Sequence, residues 1–151
     1  MHGTWRKFSG KSGRLIAIVD SGPLFASVDD KDPDHSRCVT LLRRRDVELV
    51  IPALVVAEVC YFIARRLNAS VEASFLRGLS DSDVEVEVPT RDDWPLIASL
   101  VERYSDFPLG GTDASVAVLA ERLGTDVIVT LDRRHFGALR MRNGRPFTLL
   151  P

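Results

Sequence analysis

Apolar residues in this chain fall into short continuous runs separated by longer, helically spaced stretches. LIAIV at 15–19 is unbroken and rich in branched side chains, as expected of a strand buried on both faces. A short helix is expected from Ser21 to Ser27, because Pro23 is tolerated in a first turn. DKDPDH opens a second helix that runs through Cys38, Leu41 and Leu42 to Arg45. ELVI at 48–51 reads as the second strand, Pro52 starts a long helix to Leu67, and SVEASFLRGL continues as another ending near Leu79. VEVEV at 84–88 alternates strictly, which suits an edge or half-exposed strand. Thr90 is placed to cap a helix carrying Trp94, Ile97 and Val101. Gly110 and Gly111 open the next helix, and Gly124 stops it. DVIVT (126–130) is a buried strand, DRRHFGALR a short helix and PFTLL a last strand. Strands separated by helices imply an α/β domain whose central sheet of four to five strands is mainly parallel and flanked by helices.

Length and composition narrow this picture. The 151 residues suffice for one domain with a substantial core. Residues 15–151 carry the pattern above. Residues 1–14, MHGTWRKFSGKSGR, are basic but lack the apolar stretch of a secretory signal, and are expected to be a flexible extension. Apolar residues make up 45%, charged residues 27%, and the net charge is −1, which excludes a global polycation. Cys38 and Cys60 have no C-x-x-C spacing, so reduced thiols in a cytoplasmic protein are expected rather than a structural zinc site. No apolar run approaches the ~20 residues of a membrane span.

Four acids change the picture. Asp20 ends the first strand and Asp132 follows the late strand VIVTL, at the carboxyl ends where parallel sheets bind ligands. Each alone equally fits a helix cap. Glu58 has Leu54 and Phe62 at i−4 and i+4, with Val55, Val59 and Ile63 alongside, so it lies in an apolar stripe. Its structural alternative is an ion pair with Arg65 or Arg66. Asp113 lies in a first helical turn, where the dipole favours an acid, yet Val116, Ala117 and Ala120 place it on the packed face. Four carboxylates in one small site raise each other's pKa unless a cation holds them. A hard divalent metal answers that need and points to phosphodiester chemistry.

VDSGPLFA around Asp20, PALVVAEVCYFI around Glu58, GGTDASVAVLAERLG around Asp113 and VIVTLDRRHF around Asp132 resemble the four acidic motifs of PIN-domain ribonucleases. The likeness runs from Leu15 to the end of the chain and is nearest to the VapC toxins of toxin–antitoxin pairs. It implies a PIN-like fold and an endoribonuclease dependent on Mg²⁺, or Mn²⁺, that leaves a 5′-phosphate and a 3′-hydroxyl. It also implies inhibition by a protein antitoxin that places a basic residue in the acidic pocket. Thr112 departs from the pattern, being polar where many relatives have a small apolar residue.

The residues suggest roles as well. Asp20 and Asp113 are expected as direct metal ligands, Asp132 as a ligand directly or through water, and Glu58 as the group that orients water or supports the ligands. Thr112 and Thr130 could hydrogen-bond the neighbouring carboxylates, or serve only as a cap and a strand residue. Arg133 and Arg134 could reach a phosphate of an RNA substrate, or form a solvated helix face. His135 reads more readily as a surface residue and Phe136 as core than as base contacts. The runs Arg43–Arg45 and Arg140, Arg142, Arg145 could track RNA or simply be solvated. Apolar residues Leu41, Leu42, Val55, Val56, Tyr61 and Phe62 exceed what one buried face needs, so an antitoxin helix or a homodimer contact is set against a helix pair buried on both sides.

Other chemistries fit poorly. An aspartyl phosphatase wants a second Asp two residues after Asp20, where Gly22 stands. A receiver domain wants adjacent acids on the first strand, and no Ser or Cys sits in an elbow motif. The rivals that remain are a non-catalytic PIN-like binding module and a housekeeping ribonuclease without an antitoxin.

Overall fold

The computed structural model describes residues 13–151. The flexible extension expected over 1–14 therefore lies, apart from its last two residues, outside the described residues. Five strands form one sheet: β1 (Leu15–Val19), β2 (Val47–Pro52), β3 (Glu85–Glu87), β4 (Val127–Val129) and β5 (Thr148–Leu150). Their order is β3-β2-β1-β4-β5, and every neighbouring pair is parallel. The helices are α1 (Ser21–Val28), α2 (His35–Leu42), α3 (Ala53–Arg66), α4 (Ala69–Asp81), α5 (Asp93–Arg103), α6 (Gly111–Arg122) and α7 (Arg133–Ala138). No helix among the described residues is long and apolar enough to cross a membrane.

The strand order decides where a site can form. From β1 the chain proceeds outward to β2 and β3 on one side, and β4 and β5 fill the other. The reversal falls between β1 and β4, so a crevice opens at their carboxyl ends, where the following helices leave in different directions. Asp20 and Thr130 are the residues that directly follow these two strands. Asp20 N–H still donates to the Val129 carbonyl at 2.9 Å, which fixes the two strand ends against each other.

Ala17, Ile18 and Val19 of β1 and Ile128 and Val129 of β4 are fully buried, as strands covered on both faces must be. Every residue of α6 from Ala114 to Ala120 is buried. This helix packs against α3, α5 and the sheet, and its small Ala114, Ala117 and Ala120 allow close approach. Its first turn therefore stands over the strand ends, and with it Asp113. At the other end Gly124 adopts φ +73°, its N–H bonds Glu121 carbonyl at 3.1 Å, and Thr125 N–H reaches Ala120 carbonyl at 3.0 Å. These bonds form the αL stop that a glycine provides after a helix.

Several expected boundaries move. The second helix begins at His35 and ends at Leu42, not Arg45. Arg44 instead turns to grip Asp46 with two hydrogen bonds of 3.0 and 2.7 Å. The alternating strand shrinks to Glu85–Glu87 at the sheet edge, where its partner β2 runs out at Pro52. Thr90 does not cap α5 with its side chain. Its N–H donates to the Asp93 carboxylate at 2.8 Å, and Asp92 occupies the cap position. Buried Asp93 in turn receives Arg122 Nε at 2.9 Å, while Arg122 Nη1 reaches Glu87 at 3.1 Å. This network pins α6 to α5 and the edge strand.

Candidate metal centre

Asp20 is only 4% exposed. Asp20 keeps extended backbone angles, and the chain turns into α1 directly after it. Its side chain does not cap that helix, so the capping alternative fails. Thr130 Oγ1 donates to Asp20 Oδ2 at 2.8 Å, and the same hydroxyl accepts the Asp132 N–H at 3.0 Å. One buried threonine thus ties together the acids of two strands. The other oxygen, Asp20 Oδ1, is buried and has no hydrogen-bond partner. A charged oxygen left in this state is costly unless a cation completes it.

Asp113 enters from the first turn of α6 and is half-buried. Its carboxyl is pushed up to about 7, first by burial and then by repulsion from Asp20, Glu58 and Asp132, with His135 opposing. Asp20 is pushed up to about 6, mainly by burial. The Thr130 and Ser21 hydrogen bonds oppose that rise, and Glu58 and Asp132 add to it. Glu58 is therefore part of the cluster, although it lies at the edge of the α3 stripe and is half-buried rather than enclosed. Its alternative, an ion pair with Arg65 or Arg66, does not form. Arg65 donates to the Tyr61 hydroxyl at 3.2 Å, and Arg66 lies over the rings of Phe25 and Phe62 at 5.5 and 5.2 Å.

Asp132 combines two duties. It caps α7, accepting the His135 N–H on Oδ1 at 2.9 Å, and its Oδ2 lies 2.6 Å from His135 Nδ1. Among the described residues, Asp113, Asp132 and His135 each bring one donor atom within 4.8 Å of the others. Sequence reasoning set His135 aside as a surface residue. The available signal was its position three residues after Asp132, which shares a helix face with it. Phe107 was also missed: its ring packs on His135 with centroids 4.8 Å apart and lies under the Arg134 guanidinium at 5.2 Å. No local pattern marks a single aromatic in the loop before α6.

The remaining expected residues separate. Thr112 gives its hydroxyl no carboxylate partner; its carbonyl accepts from Ser115 Oγ at 2.6 Å. Adjacent residues on a helix point about 100° apart, which turns Thr112 away from the face of Asp113. Arg133 is exposed and its guanidinium donates to the Pro151 carbonyl. Arg134 is exposed and makes no hydrogen bond or ion pair among the described residues. Phe136 is fully buried, as expected of a core residue. The second basic run is largely engaged: Arg140 donates to the Gly137 and Leu139 carbonyls, and Arg142 pairs with Glu121. Of the surplus apolar residues on α2 and α3, Leu41 and Val55 are buried and only Tyr61 is largely exposed. Leu42 borders an apolar groove of about 550 Å³ whose partly exposed walls include Val71, Phe75, Leu79 and Val84.

Clustered carboxylates, one with an unpartnered buried oxygen, fit a hard divalent cation. Asp113 and Asp132 bring carboxylate oxygens within 4.8 Å of each other, and Asp20 lies outside that group.

Residues 17–140 match the family model described as the PIN domain. The chain is 37% identical over 134 residues to "Ribonuclease VapC26" of Mycobacterium tuberculosis, covering 89% of this chain and 99% of that protein. Among solved structures it is similar to M. tuberculosis VapC20, described as a sarcin-ricin loop cleaving toxin. That match has a TM-score of 0.69 and 18% identity, covering 75% of this chain and 86% of the other. It is also similar to a structure described as VapBC2 from Rickettsia felis bound to a promoter DNA fragment. There the TM-score is 0.65 and the identity 15%, covering 91% of this chain and all of that one.

Proposed function

Because the chain belongs to the PIN-domain family, we propose that it is a metal-dependent endoribonuclease acting in the cytoplasm as the toxin of a toxin–antitoxin pair. The observation that carries this reading is the buried, unpartnered Oδ1 of Asp20 within a cluster of mutually repelling acids. A scaffold gains nothing from such an arrangement, whereas a cation binder requires it. The 37% identity to a ribonuclease over nearly the whole chain supports the same reaction.

Mg²⁺ or Mn²⁺ bound here would supply an activated water and would offset charge developing on the phosphodiester. Burial pushes the Asp20 and Asp113 carboxyls up to about 6 and about 7, so a bound cation would favour their ionised forms. Thr130 keeps Asp20 in one rotamer and carries the Asp132 backbone with it. Glu58, half-exposed at the edge of the cluster, is the group available to orient the attacking water. Of the two arginines, Arg134 is the better phosphate contact, since the Arg133 guanidinium is committed to Pro151.

Antitoxin binding is part of the proposal. The apolar groove beneath α4 is the surface open to an apolar partner segment, and a basic side chain entering the acid cluster would compete with the metal. A homodimer is the second association proposed. Gel filtration of the chain alone and co-expressed with its genomic neighbour's product tests both associations.

The decisive experiment is incubation of total cellular RNA with Mg²⁺ or Mn²⁺, comparing the wild type, Asp20→Asn and an EDTA control. Discrete products from the wild type alone are expected. No cleavage by either would replace the reading with a binding module, and equal cleavage by the variant would assign the activity to a contaminant.

A further inference from the structure

His135 is held more tightly than a capping residue needs. Its backbone N–H already completes the α7 cap on Asp132 Oδ1. Its ring makes two further contacts, Nδ1 to Asp132 Oδ2 at 2.6 Å and the Phe107 ring at 4.8 Å between centroids. These fix both the rotation and the plane of the imidazole. The ring is partly accessible, and a ring nitrogen lies within 4.8 Å of donor oxygens from both Asp113 and Asp132. Two donors on one ion with bonds of about 2.1 Å sit at most about 4.2 Å apart, so only a small closing movement would join all three. Unpartnered Asp20 Oδ1 independently indicates that a cation belongs in this cluster.

We propose that His135 contributes an imidazole nitrogen to the divalent ion shared with Asp113 and Asp132, and so biases the site toward Mn²⁺ over Mg²⁺. The inference rests on the metal-dependent reading above. Mg²⁺ takes oxygen ligands and keeps its waters, and a nitrogen donor adds little to its binding. Mn²⁺ shares the preference of Mg²⁺ for carboxylate and water and stands lowest in the first-row series, but as a transition ion it gains more than Mg²⁺ does from one nitrogen donor, so a mixed carboxylate–imidazole set favours it. Phe107 serves this site as a positioning residue, holding the ring ready at little entropic cost on binding.

The test is calorimetric titration of the metal-free protein with MnCl₂ and, separately, MgCl₂, for the wild type, His135→Gln and His135→Ala. Circular dichroism and thermal melts establish that each variant is folded. The glutamine variant keeps a side-chain donor for Asp132 and so guards against a mere loss of capping. The expected result is Mn²⁺ affinity reduced about tenfold or more in both variants, with Mg²⁺ affinity nearly unchanged. Equal weakening for both ions would reassign His135 to positioning Asp132 and overturn the proposal, as would no change for either. If the wild type binds neither ion, the metal-dependent reading itself fails, a result distinct from the other two.

Discussion

Replacing Asp20 by Asn should make the metal-free protein more stable at neutral and alkaline pH, though it removes a proposed ligand. The Asp20 carboxyl rises from 3.8 to about 6 in the folded chain, chiefly because it is buried. A raised acid prefers its protonated form in the folded state. The fold therefore bears no penalty below the unfolded value. As pH climbs through 3.8 the unfolded chain ionises first and stability falls, until the folded group has also ionised above about 6. The full penalty for that difference is roughly 3 kcal/mol. Asparagine cannot ionise and can keep its carbonyl on the Thr130 hydroxyl, but its amide inherits the unpartnered place of Oδ1. If that unsatisfied amide costs about 1 kcal/mol, the variant gains about 2 kcal/mol at about pH 8 and is about 0.5 kcal/mol less stable than the wild type near pH 4. For a chain of this length the gain corresponds to roughly 4–8 °C in Tm. Urea melts in EDTA at both pH values measure it, and repeating them with Mg²⁺ or Mn²⁺ should reverse the ranking, since a ligand for the folded state stabilises by mass action. A variant no more stable than the wild type at about pH 8, or one whose advantage is the same at both pH values, would refute the account of Asp20 as a strained buried acid.

Thr130→Val preserves shape but removes the hydroxyl that serves both Asp20 and the Asp132 N–H. It should cost about 1–3 kcal/mol in denaturant melts and move the acid limb of the RNA cleavage profile to higher pH, because Asp20 loses a bond that favours its ionised form. Arg122→Met strands the buried Asp93 carboxylate and frees Glu87. It should destabilise by about 2–4 kcal/mol while leaving metal affinity within about twofold, since the network contacts none of the cluster acids. Gly124→Ala meets no atom within 4 Å, so its cost is confined to the left-handed backbone at φ +73°. A loss of about 1 kcal/mol with unchanged cleavage is expected in paired melting and activity assays.

How much was legible in the chain depended on the range of the interaction. LIAIV and VIV read as buried strands because neighbouring apolar residues exclude water together, whatever surrounds them. Gly124 read as a stop because only local backbone sterics are involved. Thr90 was misread as a cap because the group that satisfies this turn is the Asp93 carboxylate, which Arg122 holds from 29 residues away. The apolar surplus on α2 and α3 left a partner contact and a helix pair buried on both sides equally open, because burial there depends on which other layers cover it; Leu41 and Val55 are buried, Tyr61 is exposed, and Leu42 lines the groove beside α4.

The sequence by itself determined the α/β alternation, the edge strand, and the four acids as the residues to watch, since periodicity and an acid in an apolar stripe are local patterns. Only the tertiary structure decided which strands adjoin, and that placed β1 beside β4 and opened the crevice between Asp20 and Asp132. It also decided that Thr130 links two of the acids, that Arg65 and Arg66 leave Glu58 unpaired, and that His135 joins the cluster while Thr112 turns away. The physical reason is that burial and mutual repulsion depend on distances through space. Asp20 and Thr130 lie 110 residues apart along the chain and 2.8 Å apart in the fold.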